Sequence, residues 1–187
     1  MIQYELHTPE SAPGEAKELL AAVKAANGVV PANMKVLANS PSALKAYLGL
    51  IGPLFEGGAL SPAEQVVVQM AVSREHGCEF CVPFYTFYAS HVGLDSAVAD
   101  AIRDGQPIPD ARLAALAEFS VALVRNRGRV SGEEVDEFFA AGFDKAQLLD
   151  VLGGIAAKTY INYLTQLADV PLDDFIQEFA WARPLGE

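Results

Sequence analysis

Basic residues are scarce in this chain of 187 residues, because 13 lysines and arginines stand against 24 aspartates and glutamates, giving a formal charge of −11. Such a charge repels the phosphates of nucleic acids and the headgroups of anionic membranes, so neither is an expected partner. Long apolar runs are also missing, since the two most apolar stretches, 66–72 and 148–157, are too short to span a bilayer. The first 15 residues lack the pattern of a secretory signal, and we therefore predict a cytoplasmic protein.

Cysteine is almost absent, and the two that occur, Cys78 and Cys81, form one C-x-x-C pair in the stretch REHGCEFCVPFY. Structural disulfides are rare in the cytosol, where such a pair is usually catalytic or metal-binding. A zinc site needs four ligands, and the chain offers only these two thiols and three scattered histidines. We therefore predict no metal and no cofactor.

The sequence also lacks the sustained alternation that is typical of β strands. Its apolar residues recur instead at intervals of three and four, as in Leu113, Leu116, Ala117, Val121 and Val124. Capping-box spacing joins Ser61 to Glu64, Ser131 to Glu134 and Asp144 to Gln147. We predict an all-α, compact multi-helix bundle, with helices near 13–26, 31–38, 41–56, 62–76, 78–92, 95–104, 110–127, 132–141, 145–168 and 172–181.

These helices are predicted to form one domain over residues 1–187. Residues 1–12 resemble an N-terminal arm, and the segment DGQPIPD at 104–110 is the one plausible internal division. The mean hydropathy of +0.21 is high for a soluble chain of this size. We therefore expect part of the surface to be covered by a second copy, in a homo-oligomer.

A helix that starts at Cys78 brings both thiols into its first turn. Free N–H groups and the helix dipole there favour an anion, so the pKa of a thiol falls toward neutrality. The pair can then cycle between dithiol and disulfide. Tyr85 shares the thiol face of this helix, and His76 lies just before it, where it could accept a thiol proton.

Each of these residues also has a plain structural interpretation. A buried cysteine pair can pack as two small apolar side chains without reacting. Tyr85 can be a core residue, because Phe80 and Phe84 lie beside it in the sequence. His76 can be a solvated loop histidine.

The run LSPAEQVVVQMAVSREHGCEFCVPFY, residues 60–85, resembles the signature of AhpD-like alkylhydroperoxidases in the carboxymuconolactone decarboxylase superfamily. The resemblance extends over about 30–175. It implies an all-helical fold and homo-oligomers with the cysteines near subunit contacts. It also implies an antioxidant peroxidase activity that reduces small hydroperoxides or disulfides and is restored by a dithiol reductant protein.

The chain departs from this family at its proton relay. Where the family has a glutamate twelve residues before the first cysteine, Val66 stands here, and the histidine expected four residues after the second cysteine is Tyr85. Such a relay contributes about 10²–10⁴-fold to a rate. The resemblance favours Cys81 as the thiol that attacks peroxide and Cys78 as the more exposed thiol that exchanges disulfides, whereas position in the helix favours Cys78 as the more acidic.

Three hypotheses remain open. The first is a thiol-dependent redox enzyme of the AhpD-like class, with Cys78, Cys81, Tyr85 and His76 as its catalytic residues. The second is an inactive scaffold that binds an apolar ligand in a pocket lined by Val66, Phe80, Phe84 and Tyr85. The third is lactone chemistry, for which the chain has no evident acid–base pair. A thiol pKa at or below 7 favours the first hypothesis, and one at or above 8.5 favours the second.

Overall fold

Helices account for all the regular structure in residues 2–184, which are the residues that the computed structural model describes. The predicted all-α fold is therefore confirmed. The α-helices are α1 (Ala16–Asn27), α2 (Ala32–Leu37), α3 (Pro41–Gly57), α4 (Pro62–Glu75), α5 (Cys81–Ala89), α6 (Ser96–Asp104), α7 (Ala111–Arg125), α8 (Gly132–Ala140) and α9 (Lys145–Leu167). Two 3₁₀ helices follow α5 and α9, at Ser90–Val92 and Asp174–Phe179.

The predicted capping boxes set where several of these helices begin. The side chains of Ser61, Ser131 and Asp144 each accept a hydrogen bond from the backbone N–H three residues on, and the side chain at that position accepts one from the backbone N–H of the cap. Each box satisfies N–H groups that a helix start leaves without partners. All ten predicted segments have a counterpart, although the last one is a 3₁₀ helix rather than an α-helix.

Helix α4 is the central element of the bundle. Every residue from Glu64 to Ser73 is buried, because α5, α6, α7 and α9 all pack against it. A helix that is covered on all sides needs apolar residues all round, which the run VVVQMAV supplies. The end of α4 leads directly into the cysteine pair, so the pair is anchored to the most buried helix of the protein.

The buried apolar side chains form two clusters that meet at α5. One is built on α4, α6, α7 and α8, and the other joins α1, α2 and α3 to both cysteines and to α9. Phe84 packs against both clusters. Because α4 packs on α7 and α9, contacts cross the predicted division at 104–110; the extent of the domain stays a prediction.

In its described part, residues 2–12, the predicted N-terminal arm contacts α9 through Ile2 and α2 through His7. The N–H of His7 donates to the C=O of Lys35 at 3.3 Å, and the side chains of His7 and Ala12 are buried. Within the described residues, no helix has both the length and the hydropathy needed to cross a bilayer.

One face of α9 carries large apolar side chains to the surface. Leu149, Leu152, Tyr160, Tyr163 and Leu167 are between 40% and 66% exposed, and most lie three or four residues apart, so they form a stripe along the helix. Such a stripe is typical of a face that packs against another helix. It supports the predicted homo-oligomer, which we propose is formed by α9 pairing with α9 of a second copy.

An acidic side chain in this stripe should separate the copies. We expect Leu149→Asp to lower the molar mass measured by light scattering at micromolar concentration to that of one chain, because the pairing would bury an unpaired charge. Ala21→Asp, on the exposed side of α1, is the matched control and should leave the mass unchanged. A wild-type protein that is itself a monomer would contradict the proposal.

Candidate active site

The junction between α4 and α5 fixes the backbone of Cys78. Gly77 has a left-handed conformation with φ of 63°. The N–H of Gly77 donates to the C=O of Arg74 and the N–H of Cys78 to the C=O of Ser73, each at 2.9 Å. This pair of bonds is the Schellman motif, in which glycine supplies the positive φ that other residues avoid.

Cys78 then caps the helix that follows. The N–H of Cys81 donates to the sulfur of Cys78 at 3.2 Å, and the N–H of Val82 donates to the C=O of Cys78 at 3.1 Å. The regular helix begins at Cys81, three residues after the predicted start at Cys78. Both thiols lie where the first turn of α5 presents free N–H groups, which favour a negative charge.

Both sulfurs are buried and share one hydroxyl group. Cys78 is 0% exposed and Cys81 is 1% exposed, so the expectation that Cys78 is the more exposed thiol is wrong: the turn places it beneath α9. The Oγ1 of Thr165 lies 3.1 Å from the sulfur of Cys78 and 3.9 Å from that of Cys81. This hydroxyl can donate to a thiolate, or accept from a thiol while donating to the C=O of Asn162 at 3.1 Å.

The two thiols differ strongly in acidity. The hydrogen bond from the Cys81 thiol, the charge of Lys158 and the hydroxyl of Thr165 together lower the pKa of Cys78 to about 6, against the opposing effect of burial. Burial and the hydrogen bond that it donates to Cys78 raise the pKa of Cys81 well above its usual value. The pair therefore holds one proton and one negative charge at neutral pH, with the charge on Cys78.

Lys158 is the cation of this site, and its role was not predicted from the sequence. The side chain is only 2% exposed, and its ammonium lies 4.3 Å from the centre of the Tyr85 ring. Its positive charge lowers the pKa of both thiols. The available signal was its position: it lies in the buried stripe of α9 with Val151, Ile161 and Thr165, where a lysine is rare.

The structure places Tyr85 next to the pair and His76 on its other side. Tyr85 is 5% exposed, and it lines the same cavity as Cys81 and Tyr47. The ring of His76 faces α9, where its Nδ1 lies 3.0 Å from Nδ2 of Asn162, and it packs on Tyr163. Burial lowers the pKa of His76. No hydrogen bond joins His76 to either thiol in the described part of the chain, so its role as a base stays a prediction.

The positions of the missing relay are filled by core residues. Val66 is fully buried in the first apolar cluster. Glu64, two residues earlier, closes the capping box with Ser61 and pairs with Arg112 on α7. Although partial burial opposes it, the hydrogen bonds from Arg112 and Ser61 lower the pKa of Glu64, which therefore stays ionised. Glu64 is engaged in holding α4 to α7.

A cavity of about 740 Å³ opens beside the pair, between α1, α3 and α5. Cys81 and Lys158 are on its wall, whereas Cys78 and Val66 are not. The predicted pocket residues Phe80, Phe84 and Tyr85 do line it, so that prediction was wrong only for Val66, which faces the core. Most of the remaining wall is aromatic or aliphatic, including Tyr47, Phe55, Phe87 and Tyr88. The cavity is large enough for a small organic molecule.

Comparison with known families agrees with this arrangement. Residues 41–117 match the model of the carboxymuconolactone decarboxylase family, a segment that runs from α3 into α7 and contains both cysteines. This match supports the predicted resemblance to the AhpD-like, carboxymuconolactone decarboxylase superfamily. No curated protein sequence matches the chain.

Several solved structures share the fold. The AhpD core of an uncharacterised peroxidase-related protein from Ralstonia eutropha JMP134 has 20% identity and a TM-score of 0.82, over 93% of this chain and 94% of that one. A peroxidase-related protein from Silicibacter sp. TM1040 has 17% identity and a TM-score of 0.79, over 94% and 92%. A cysteine-to-alanine variant of the debrominase Bmp8, in complex with 2,3,4-tribromopyrrole, has 13% identity and a TM-score of 0.79, over 95% of each chain.

The acidity of Cys78 can be tested by thiolate absorbance at 240 nm. We expect the reduced protein to show one thiolate per chain with a midpoint near pH 6. Thr165→Val should move that midpoint upward, because the thiolate loses a hydrogen-bond donor, and Cys81→Ala should move it further. Thr159→Val, on the same helix, is the matched control. A wild-type midpoint at or above pH 8.5 would contradict the geometry.

Proposed function

We propose that the protein is a thiol-dependent redox enzyme that reduces organic hydroperoxides, or exchanges disulfides, through Cys78 and Cys81. The observation that carries the proposal is the acidic cysteine pair whose second member forms part of the wall of a cavity. Cysteines that only pack would remain neutral thiols in a buried site, because an unbalanced charge there is strongly destabilising. The peroxidase-related proteins of the same fold support this proposal.

The first step takes place at Cys81, because this sulfur is the one that the cavity reaches. Proton transfer along the hydrogen bond between the thiols moves the negative charge from Cys78 to Cys81. The Cys81 thiolate attacks the outer oxygen of the hydroperoxide and the O–O bond breaks. The sulfur is oxidised to a sulfenic acid, and the other oxygen leaves as an alkoxide that takes up a proton.

Cys78 completes the reaction. Its sulfur attacks that of Cys81, the S–O bond breaks, and hydroxide leaves with the Cys78 proton as water. One hydroperoxide and two thiols thus give one alcohol, one water and one disulfide. The disulfide is then reduced by exchange with a dithiol protein, and we place this cycle in the cytoplasm, where such reductants are found.

The division of labour between the cysteines predicts how two serine variants behave. In stopped-flow mixing with cumene hydroperoxide, the wild type should form a Cys78–Cys81 disulfide detected by mass. Cys78→Ser should stop at a Cys81 sulfenic acid that dimedone traps, whereas Cys81→Ser should lose fast oxidation. A wild type that is not oxidised faster than a free thiol would instead support the inactive scaffold.

Reductive debromination is a second candidate, favoured by the aromatic wall of the cavity and by the debrominase of similar fold. Two thiols and an aryl bromide would give a disulfide, the arene and hydrogen bromide. Bromide release from a brominated pyrrole, measured under the same conditions, distinguishes this substrate class. Release that is faster than hydroperoxide reduction would favour the second candidate over the first.

A further inference from the structure

We propose that Lys158 is a catalytic residue that takes over from the missing Glu and His relay: its ammonium holds the thiolate of the pair and protonates the oxygen that leaves when the O–O bond breaks. The proposal rests on the function proposed above and deepens it. Its first support is geometric: Lys158 and Cys81 are both on the cavity wall, and the ammonium lies 4.3 Å from the centre of the Tyr85 ring on the same wall.

The burial of Lys158 requires a negative charge nearby. A fully buried ammonium is strongly destabilising unless it is paired. The salt bridges among residues 2–184 give it no carboxylate partner. The face of the Tyr85 ring, 4.3 Å away, contributes a cation–π contact but no net charge. The anion that neutralises Lys158 must therefore form on a titratable side chain beside it.

The side chains around Lys158 leave only the thiols for this role. Its titratable neighbours are Tyr47 on α3, His76 at the end of α4, and Tyr85, Cys78 and Cys81 at α5. Burial raises the pKa of both tyrosines and lowers that of His76, so all three are neutral at pH 7. The thiolate shared by Cys78 and Cys81 is consequently the counter-ion of Lys158.

Oxidation of the pair makes Lys158 a proton donor at the moment when one is needed. Attack by Cys81 releases an alkoxide into an apolar cavity, and Lys158 is on the wall beside that sulfur. Formation of the disulfide then removes the counter-ion, so giving up a proton also removes an unpaired buried charge. The thiolate, the thiol, the ammonium and the hydroperoxide give the disulfide, the amine, the alcohol and water. Reduction by the dithiol partner returns the proton to Lys158.

Two substitutions test separately whether Lys158 acts through its charge or by donating its proton. Lys158→Met removes both, so we expect the pKa of Cys78 to rise toward its ordinary value and the oxidation rate at pH 7 to fall about 10²-fold or more. Lys158→Arg keeps the charge but holds its proton too tightly to donate. It should retain the low thiol pKa and still oxidise about ten-fold more slowly. Lys145→Met, at the exposed start of the same helix, is the matched control.

The outcomes separate this inference from the function on which it rests. If the wild type forms no Cys78–Cys81 disulfide with hydroperoxide, the proposed function fails. If the wild type is oxidised and Lys158→Met keeps both its thiol pKa and its rate, the role of Lys158 is overturned. Should Lys158→Met not fold, Lys158→Arg decides: a wild-type rate at equal thiolate fraction overturns proton donation, and a slower rate supports it.

Discussion

A single buried charge pair, the ammonium of Lys158 and the thiolate shared by Cys78 and Cys81, constrains the arrangement of α4, α5 and α9. Each partner would be costly to bury alone, and together they lie within the second apolar cluster, beneath the surface of the protein. The pair also explains why the two cysteines differ in acidity. The single ammonium balances one negative charge, so one sulfur is a thiolate and the other keeps its proton. A redox reaction that consumes the thiolate necessarily alters the state of the lysine.

The thiols and the lysine come from two distant parts of the chain. The Schellman motif at Gly77 ends α4 and places Cys78 at the cap of α5, so the sulfur meets free N–H groups as well as Lys158. Helix α9 supplies Lys158 and Thr165, which are seven residues apart and so lie on the same face. Because α4 packs against both α5 and α9, the thiols and the lysine are held by the most buried part of the bundle.

The parts of this account that could be predicted from the sequence depend on neighbouring residues. Capping boxes and apolar periodicity identify the helices because both act within a few positions of the chain. The acidity of Cys78 is predicted only in part in this way, because Cys81 is a neighbour in the sequence whereas Lys158 and Thr165 are not. Lys158 and Thr165 could not be predicted as site residues because they lie about 80 residues from the cysteines. Only the packing of α9 brings these two side chains to the thiols. The turn at Gly77 likewise buries Cys78, which the family resemblance implied to be the more exposed thiol.

The pH dependence of stability tests the buried charge pair most directly. Because the pKa of Cys78 is lowered to about 6 by folding, the unfolded chain binds more protons between pH 6 and 8.5, and stability must rise with pH in this range. Stability gained in this way is lost as the pH falls through about 6. For the reduced protein, the free energy of unfolding measured in urea should increase by about 2 kcal/mol more between pH 6.5 and 8.5 in the wild type than in the variant Cys78→Ser/Cys81→Ser/Lys158→Met, which has neither partner of the charge pair. Equal increases in the two proteins would contradict a thiolate held in the folded state.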